Sequence, residues 1–432
     1  MLLGTDATKR TLGSLVNINR SRQAGPVGKK LSVAARPKPR GEFYVGPEAM
    51  TERQYLLARE RMLKRIAETR DTAHSGLPHW ASAADGTWTF TPDGDWTGGA
   101  FVGELWLAHL ADPRQFPIED ARAALSRMLP RAERLTAFKG FGFYHAGALG
   151  SILFEDENAR EVALTAARSL RDMFDPHLGL IPLGRDAEEA SAVGASESSI
   201  DSLQATGLLY WAAEELSDAR MDEVANAHMR RVLEIHVRQD NSVIQSSTLD
   251  PHTGKVLRTH THKGYSDIST WGRAQGWAML YTAHAAMVRP DEPLWRDYAV
   301  RLLDWWIDHV PADLIAFWDF DDPAIPNTSR DTAATAIAAA AALRLASALG
   351  PEQGAKYRLF AERTVTQLIS KYLTPTTPDD RRPPGMLIGG CFTRKAIVRD
   401  IDAAQNVELI FGSYFLFECL AVLTDLVPPG WI

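Results

Sequence analysis

The sequence predicts an all-α fold: twelve helices, paired as six hairpins and closed into an α/α toroid. Three observations carry that reading. Helical segments with apolar positions at 3.6-residue spacing recur from residue 51 to residue 426. Strand-like patterning is concentrated in one stretch, residues 242–261. No internal sequence repeat marks a solenoid. A compact bundle and an open solenoid are the other arrangements that the same helices allow.

The elements follow in chain order. Thr51-Glu-Arg-Gln54 is a capping-box pattern, and Tyr55, Leu56, Met62, Leu63 and Ile66 form an apolar stripe behind it. Further helices are expected at about 96–111, 118–135, 141–154, 157–174, 199–216, 221–236, 270–288, 292–310, 330–349, 353–372 and 411–426. In the fifth of the twelve, Ala159, Val162, Ala163, Ala166, Leu170 and Met173 keep the helical period. Thr332–Leu349 is mostly Ala, Ile and Leu, so it should be buried on most sides. The more apolar helices should form the inner ring, with loops at one end building a site. Residues 242–261 read as a hairpin, SVIQSST and VLRTHT around LDPHTGK, in which Asp250-Pro251 and Gly254 supply the turn chemistry. The hairpin should bring Gln245 and His262 to the same mouth.

A chain of 432 residues with 45% hydrophobic content can bury a large core. Its charge is unevenly placed. Residues 1–45 hold nine Lys/Arg and two acids, net +7, and the remainder holds 38 and 52, net −14. This predicts a basic N-terminal arm over 1–45 and a single catalytic domain over 46–432. The arm reads as solvated, partly disordered or laid on a neighbouring subunit, with a transit peptide or a nucleic-acid arm as the other readings. The acidic body argues against nucleic acid as the main partner. Cys391 and Cys419 are too few for a disulfide framework. With no uninterrupted apolar run of about 18 residues, no membrane span is expected. The absence of an apolar signal core makes a cytoplasmic location the expectation. Monomer and homo-oligomer both fit.

The densest chemistry lies in His260–Trp277, HTHKGYSDISTWGRAQGW. Charged, aromatic and amide side chains crowd the start of an apolar helix, as a carbohydrate pocket requires. Rings offer flat faces to sugar C–H groups, Arg and Lys bind acidic oxygens, and amides read hydroxyls. Arg273 and Trp277 are four apart and share a helix face. They read as a clamp on a carboxylate-bearing ring, or as an Arg stacked on a core Trp. Asp201 follows Ser198-Ser199, which can cap its helix. It reads as an acid aimed out of the ring end, or as a first-turn acid favoured by the helix dipole by about 0.3–1 kcal/mol. Trp96 precedes Gly98, Gly99 and Gly103 and reads equally as core or sugar platform. The histidines at 252, 260 and 262 lack a partner set for a metal, so none is expected. Asp319, Asp321, Asp322 and Asp331 lie in a Pro-stiffened loop that either lines the pocket or closes the ring; the structural role is the favoured reading, with Asp331 as a helix N-terminal acid. There is no Gly-rich phosphate loop and no nucleophile elbow.

Taken together, these residues resemble glycoside hydrolase family 88, the unsaturated glucuronyl hydrolases. The resemblance spans most of residues 50–430. It rests on an ordered set: WTGGAFVGELWLAHL, IDSLQATGLLYWAAEE, LDPHTG, THKGYSDISTWGRAQGW, FWDFDDPAIPNTSRDTAATAIAA and LIFGSYFLFECL. It implies an (α/α)6 barrel without metal or organic cofactor. It also implies an acidic oligosaccharide substrate carrying a 4,5-unsaturated uronic acid at its non-reducing end. The implied chemistry is hydration of a vinyl ether, unlike the two-carboxylate scheme of ordinary glycosidases. Asp201 matches the acid/base of the IDxL motif. Arg273 and Trp277 match RGQAW, Trp96 matches WTxGFW, and His262 with Gly264 matches THQGY.

Four positions depart from the family. Gly140 stands where a second aspartate is expected, Gln245 for a histidine, Lys263 for a glutamine and Ser413 for an aspartate. Losing the second carboxylate and gaining Lys263 should both lower the pKa of Asp201 and make the pocket more positive. Trp96, Gln245, His262, Lys263, Arg273 and Trp277 are the expected substrate-binding residues. The competing readings are a polysaccharide lyase or saturated-uronide hydrolase on the same toroid, and a sugar-binding protein that has lost catalysis.

Overall fold

The computed structural model describes residues 48–190, 194, 196–395 and 400–428. The basic arm expected over 1–45 lies outside them. Twelve helices are found among the described residues. They are α1 (Glu52–Thr72), α2 (Gly98–Ala111), α3 (Ile118–Met128), α4, α5 (Glu157–Asp172), α6 (Gln204–Leu216), α7 (Ala219–His236), α8 (Gly272–Val288), α9 (Pro293–His309), α10 (Thr332–Gln353), α11 (Ala355–Lys371) and α12 (Ile410–Leu423). The segment called α4 runs through Lys139–Phe143, a π-helical turn at Tyr144–Ala148 and Leu149–Phe154.

The six even-numbered helices close a ring, α2–α4–α6–α8–α10–α12 and back to α2, each packed on the next. The odd-numbered helices lie outside it, each against its hairpin neighbours. Sequence explains the sorting. The inner helices are buried on every side along most of their length: α2, α6, α8 and α12 over nearly all of it, and α10 over its first 14 residues. The outer helices bury one stripe, as α5 does with Ala159, Val162, Ala163, Ala166 and Leu170. α10 is long and apolar enough to pass for a membrane span. It is instead a wall of the ring, buried from Thr332 through Leu345.

Boundaries follow local chemistry. Gln54 Oε1 accepts the Thr51 amide at 2.9 Å, as the capping-box pattern predicts. The helix expected over 118–135 ends at Met128, where Pro130 turns the chain into a 3-10 turn at Leu129–Arg131. Among the described residues, the connections between helices form two small antiparallel sheets. One has the order β3–β4–β5, from Ser198–Ser199, Ser246–Leu249 and Val256–His260. Its β4–β5 hairpin is the one predicted. The other, β2–β1–β7–β6, joins Trp88–Thr91, Leu77–Ser82, Gln405–Leu409 and Gly390–Cys391 in that order, and was not foreseen.

Candidate active site

Asp201 sits on a 3-10 turn, Ile200–Leu203, between β3 and α6. Strand pairing places it. Ser199 faces Ser246 across the sheet, and the Ile200 amide donates to the Gln245 carbonyl at 2.9 Å. The Ser199 hydroxyl caps the turn by accepting the Asp201 amide at 3.2 Å. Two neutral histidines of α7 lock the arrangement from behind. His228 accepts the Ile181 amide and meets the Ser202 carbonyl at 3.0 Å. His236 bridges the Ser198 hydroxyl and the Ile244 carbonyl.

The Asp201 carboxyl is buried. One oxygen, Oδ2, accepts the Gln245 side-chain amide at 3.1 Å. The other, Oδ1, is buried without a hydrogen-bond partner. Gln245 is itself fixed, because its Oε1 accepts from Thr261 Oγ1 at 2.9 Å and from the Lys263 amide at 3.1 Å. Its NH2 must therefore point at Asp201.

His262 and Lys263 follow on the same loop. His262 Nδ1 meets Ser246 Oγ at 2.9 Å, and its Nε2 meets Glu189 Oε2 at 2.8 Å. The Lys263 ammonium pairs with the other oxygen of Glu189 and lies 5.5–5.8 Å from the ring centres of Trp96, Trp271 and Phe392. Glu189 was not foreseen. It lies in an irregular acidic loop, and only the tertiary fold brings it to the site.

The pKa of Asp201 departs from expectation. Burial first, and then the Glu189 charge, push its carboxyl up to about 6, against the lowering effects of Lys263, the Gln245 amide and His262. Lys263 does act in the expected direction. It is outweighed because the carboxyl is sealed from water and a second carboxylate is present after all.

Aromatic side chains build the wall. Trp96 packs against Phe141 and Phe411, each with ring centres 5.1 Å from its own. Trp277 packs on Phe141 at 4.6 Å and on Phe415 at 5.8 Å. Phe141, Phe392 and Phe411 had not been singled out, since an apolar ring in an apolar helix carries no distinguishing signal.

Arg273 departs from the clamp reading. Its guanidinium lies 4.6 Å from the Trp271 ring centre and is bound to Asp331 Oδ2 at 2.6 Å and to the carbonyls of Cys391 and Phe392. These bonds join α8, α10 and β6, so Arg273 supports the wall rather than reaching for a ligand. The aspartate loop is structural in the same sense. Asp319 holds the Tyr265 amide at 2.8 Å and Ser269 Oγ at 2.7 Å, and Asp321 holds the Thr270 amide at 2.7 Å. Among the described residues no group of three or more His, Cys, Asp or Glu is placed to hold a metal ion.

Gly140 lies against Gln204, whose side-chain and main-chain oxygens occupy the space a Cβ would need. Ser413 donates to Glu408 at 2.9 Å, in a buried pair with Arg65.

No family model matches the chain. It is 30% identical over 369 residues to the unsaturated glucuronyl hydrolase of Bacillus sp. (strain GL1), covering 82% of this chain and 93% of that protein. It is 25% identical over 406 residues to the unsaturated chondroitin disaccharide hydrolase of Streptococcus pneumoniae (strain ATCC BAA-255 / R6), covering 91% and 97%. The crystal structure of the Bacillus sp. GL1 unsaturated glucuronyl hydrolase superposes with a TM-score of 0.76 at 27% identity, over 87% of this chain and 98% of that one. An ordered set of motifs, a closed ring of six inner helices and this extent of similarity lead to one conclusion: the chain belongs to the unsaturated glucuronyl hydrolases, glycoside hydrolase family 88, as a divergent member.

Proposed function

We propose that this enzyme removes a 4,5-unsaturated uronic acid from the non-reducing end of lyase-derived oligosaccharides by hydrating the vinyl ether, with Asp201 as the catalytic acid and base. The observation that carries the reading is the state of Asp201. Burial and the Glu189 charge push its carboxyl up to about 6, so it holds a proton far more readily than an ordinary aspartate, and Oδ1 has no protein partner. A general acid needs both a retained proton and a free face.

The chemistry runs as the family resemblance implies. The Asp201 proton goes to C4 as the C4=C5 bond is lost, and positive charge develops at C5 and the ring oxygen. Water adds at C5, giving its proton to the Asp201 carboxylate. The resulting hemiketal opens and the neighbouring sugar leaves from C1. Gln245 steadies the carboxylate form through its amide. His262 and Lys263 supply donors and positive charge for the uronate, and Trp96 and Trp277 supply apolar ring faces. Two relatives are named for activity on unsaturated glucuronyl and unsaturated chondroitin disaccharide groups, which supports an acidic oligosaccharide as the substrate class.

The test is spectrophotometric. Mixing the protein with a panel of lyase-generated unsaturated oligosaccharides should consume the ultraviolet absorbance of the conjugated double bond, and Asp201→Asn should abolish that loss. A rise in absorbance with saturated polyuronides would instead identify a lyase, and binding without any change would identify a sugar-binding protein.

A further inference from the structure

His262 and Lys263 end on one carboxylate, and it comes from outside every motif that marks the site. Glu189 lies in the irregular segment that follows Gly184, where the backbone turns through a φ of +92°. Neighbouring contacts fix this segment. Arg131 pairs with Glu188, the Leu135 amide donates to Asp186 Oδ2 at 2.8 Å, and the Asp186 amide donates to the Leu135 carbonyl at 2.9 Å. The Glu189 side chain is 7% exposed and its Lys263 partner 3%. Buried charges of opposite sign hold each other in place, since either one alone would be left uncompensated. The segment expected to supply a second acid cannot do so, because Gln204 fills the space beside Gly140.

We propose that Glu189 is the second carboxylate of this active site, a positioning residue that holds His262 and Lys263 at the mouth and faces Asp201 with negative charge. The assignment rests on the reading of Asp201 as proton donor. Glu189, Lys263 and His262 are the charged groups that bear most on Asp201. Glu189 disfavours Asp201 ionisation, and the other two favour it. Removing the Glu189 charge therefore leaves the Lys263 ammonium unopposed near Asp201, and its proton is lost at lower pH.

The test reads Asp201 directly. Carboxyl-carbon NMR of the full chain, assigned with Asp201→Asn, follows its titration in the wild type, Glu189→Gln, Glu189→Asp and Glu189→Gln/Lys263→Gln. In Glu189→Gln the Asp201 midpoint should fall by about one pH unit or more, the scale of a nearby charge. The alkaline limb of kcat/KM should move with it. Glu189→Asp should keep the midpoint near the wild-type value. The double variant removes one raising and one lowering charge, so its midpoint should return toward the wild type, and it remains informative if Glu189→Gln fails to fold. An Asp201 midpoint indifferent to both Glu189→Gln and the double variant overturns the assignment if Glu189→Gln is folded. So does a double variant whose midpoint rises by more than a unit, because Lys263 would then have been lowering Asp201 with no Glu189 charge to oppose it. If the midpoint moves as expected but no unsaturated oligosaccharide is turned over, the proposed function fails and the electrostatic assignment stands. If turnover occurs and the midpoint is fixed, the reverse holds.

Discussion

Arg273 and Asp331 meet at 2.6 Å with side chains 1% and 0% exposed, and this pair ties the helix carrying Trp277 to the wall helix α10. Asp331 is also the N-cap of α10, accepting the Ala333 and Ala334 amides. Removing one partner leaves the other charged, buried and unpaired. Arg273→Met should therefore cost about 3–5 kcal/mol of stability. Denaturant titration checks this. A variant that keeps wild-type stability and loses only substrate affinity would restore the clamp reading.

Asp201→Asn should separate chemistry from folding, and the sign of its stability effect depends on pH. The folded pKa of about 6 lies above the ordinary value of 3.8. The folded state thus holds this proton more tightly than the unfolded chain. Its contribution to stability is greatest below about 4 and declines as pH rises through 6. Above 6 the native protein carries a buried carboxylate with one unpaired oxygen. The neutral amide removes that charge, so Asp201→Asn should gain roughly 2 kcal/mol at pH 8 relative to its effect at pH 4, from a shift of this size. Urea midpoints at the two pH values decide it. Equal effects at both would mean that Asp201 titrates normally.

Acid should loosen the site before it dissolves the ring. Burial lowers His228 and His236 to about 4, and His145 and His284 to about 3. Each is neutral when folded and takes up a proton more readily when unfolded, where the ordinary value is 6.5. Their stabilising contribution is complete above 6.5 and is lost as pH falls toward 4. Protonated His228 could no longer accept the Ile181 amide behind the Asp201 turn. Hydrogen exchange at pH 5 should show faster opening around 198–203 than at pH 7, with α10 still protected. Uniform exchange across both regions would show that these histidines do not govern the site.

Lys139 is a further test of burial as the dominant force. Its ammonium is buried with a single hydrogen-bond partner, Ser169, and burial lowers its pKa to about 8, against weak attraction from Asp186, Asp172 and Glu133. A base lowered in the fold destabilises the protein while charged, so stability should rise as pH climbs from 8 toward 10. Lys139→Met should stabilise the protein by about 1–3 kcal/mol at pH 7, the range for replacing a poorly compensated buried charge with an apolar chain. A melting temperature that falls in Lys139→Met at pH 7 contradicts this.

The ring was legible because its inner helices are apolar throughout and its outer ones carry one stripe, a difference that sequence displays residue by residue. The sheet β2–β1–β7–β6 was not. Its strands are short, the first carries Pro78 beside a register shift, and its central pairing, β1 with β7, joins residues more than 300 positions apart. Asp201, Gln245, His262 and Lys263 could be named because motifs bracket them. Glu189 could not, because nothing local distinguishes a functional acid from its neighbours Asp186 and Glu188. The surroundings of Arg273 were hidden for the same reason: Asp331 lies 58 residues away, and spacing along one helix reports a shared face but not what faces it, so the clamp and the stacked readings both stayed open.

Restoring the family's aspartate at position 140 tests whether the second acid has truly moved. Phe141 donates its amide to Gln204 Oε1 at 2.7 Å, and the Gln204 side-chain amide donates to the Ala137 carbonyl, so α4 and α6 are stitched together at this point. A Cβ on Gly140 would overlap both the Gln204 side-chain oxygen and its backbone carbonyl. Gly140→Asp should therefore cost at least about 2 kcal/mol through overpacking. It should also fail to raise turnover. Gly140→Asp/Gln204→Ala should not recover the loss, because the backbone carbonyl remains in the way. Thermal melts of the single and double variants measure the cost, and kcat on the best unsaturated oligosaccharide measures the gain. A folded Gly140→Asp with faster turnover would mean that α4 and α6 can part to admit an acid, and that Glu189 only substitutes for one that is missing.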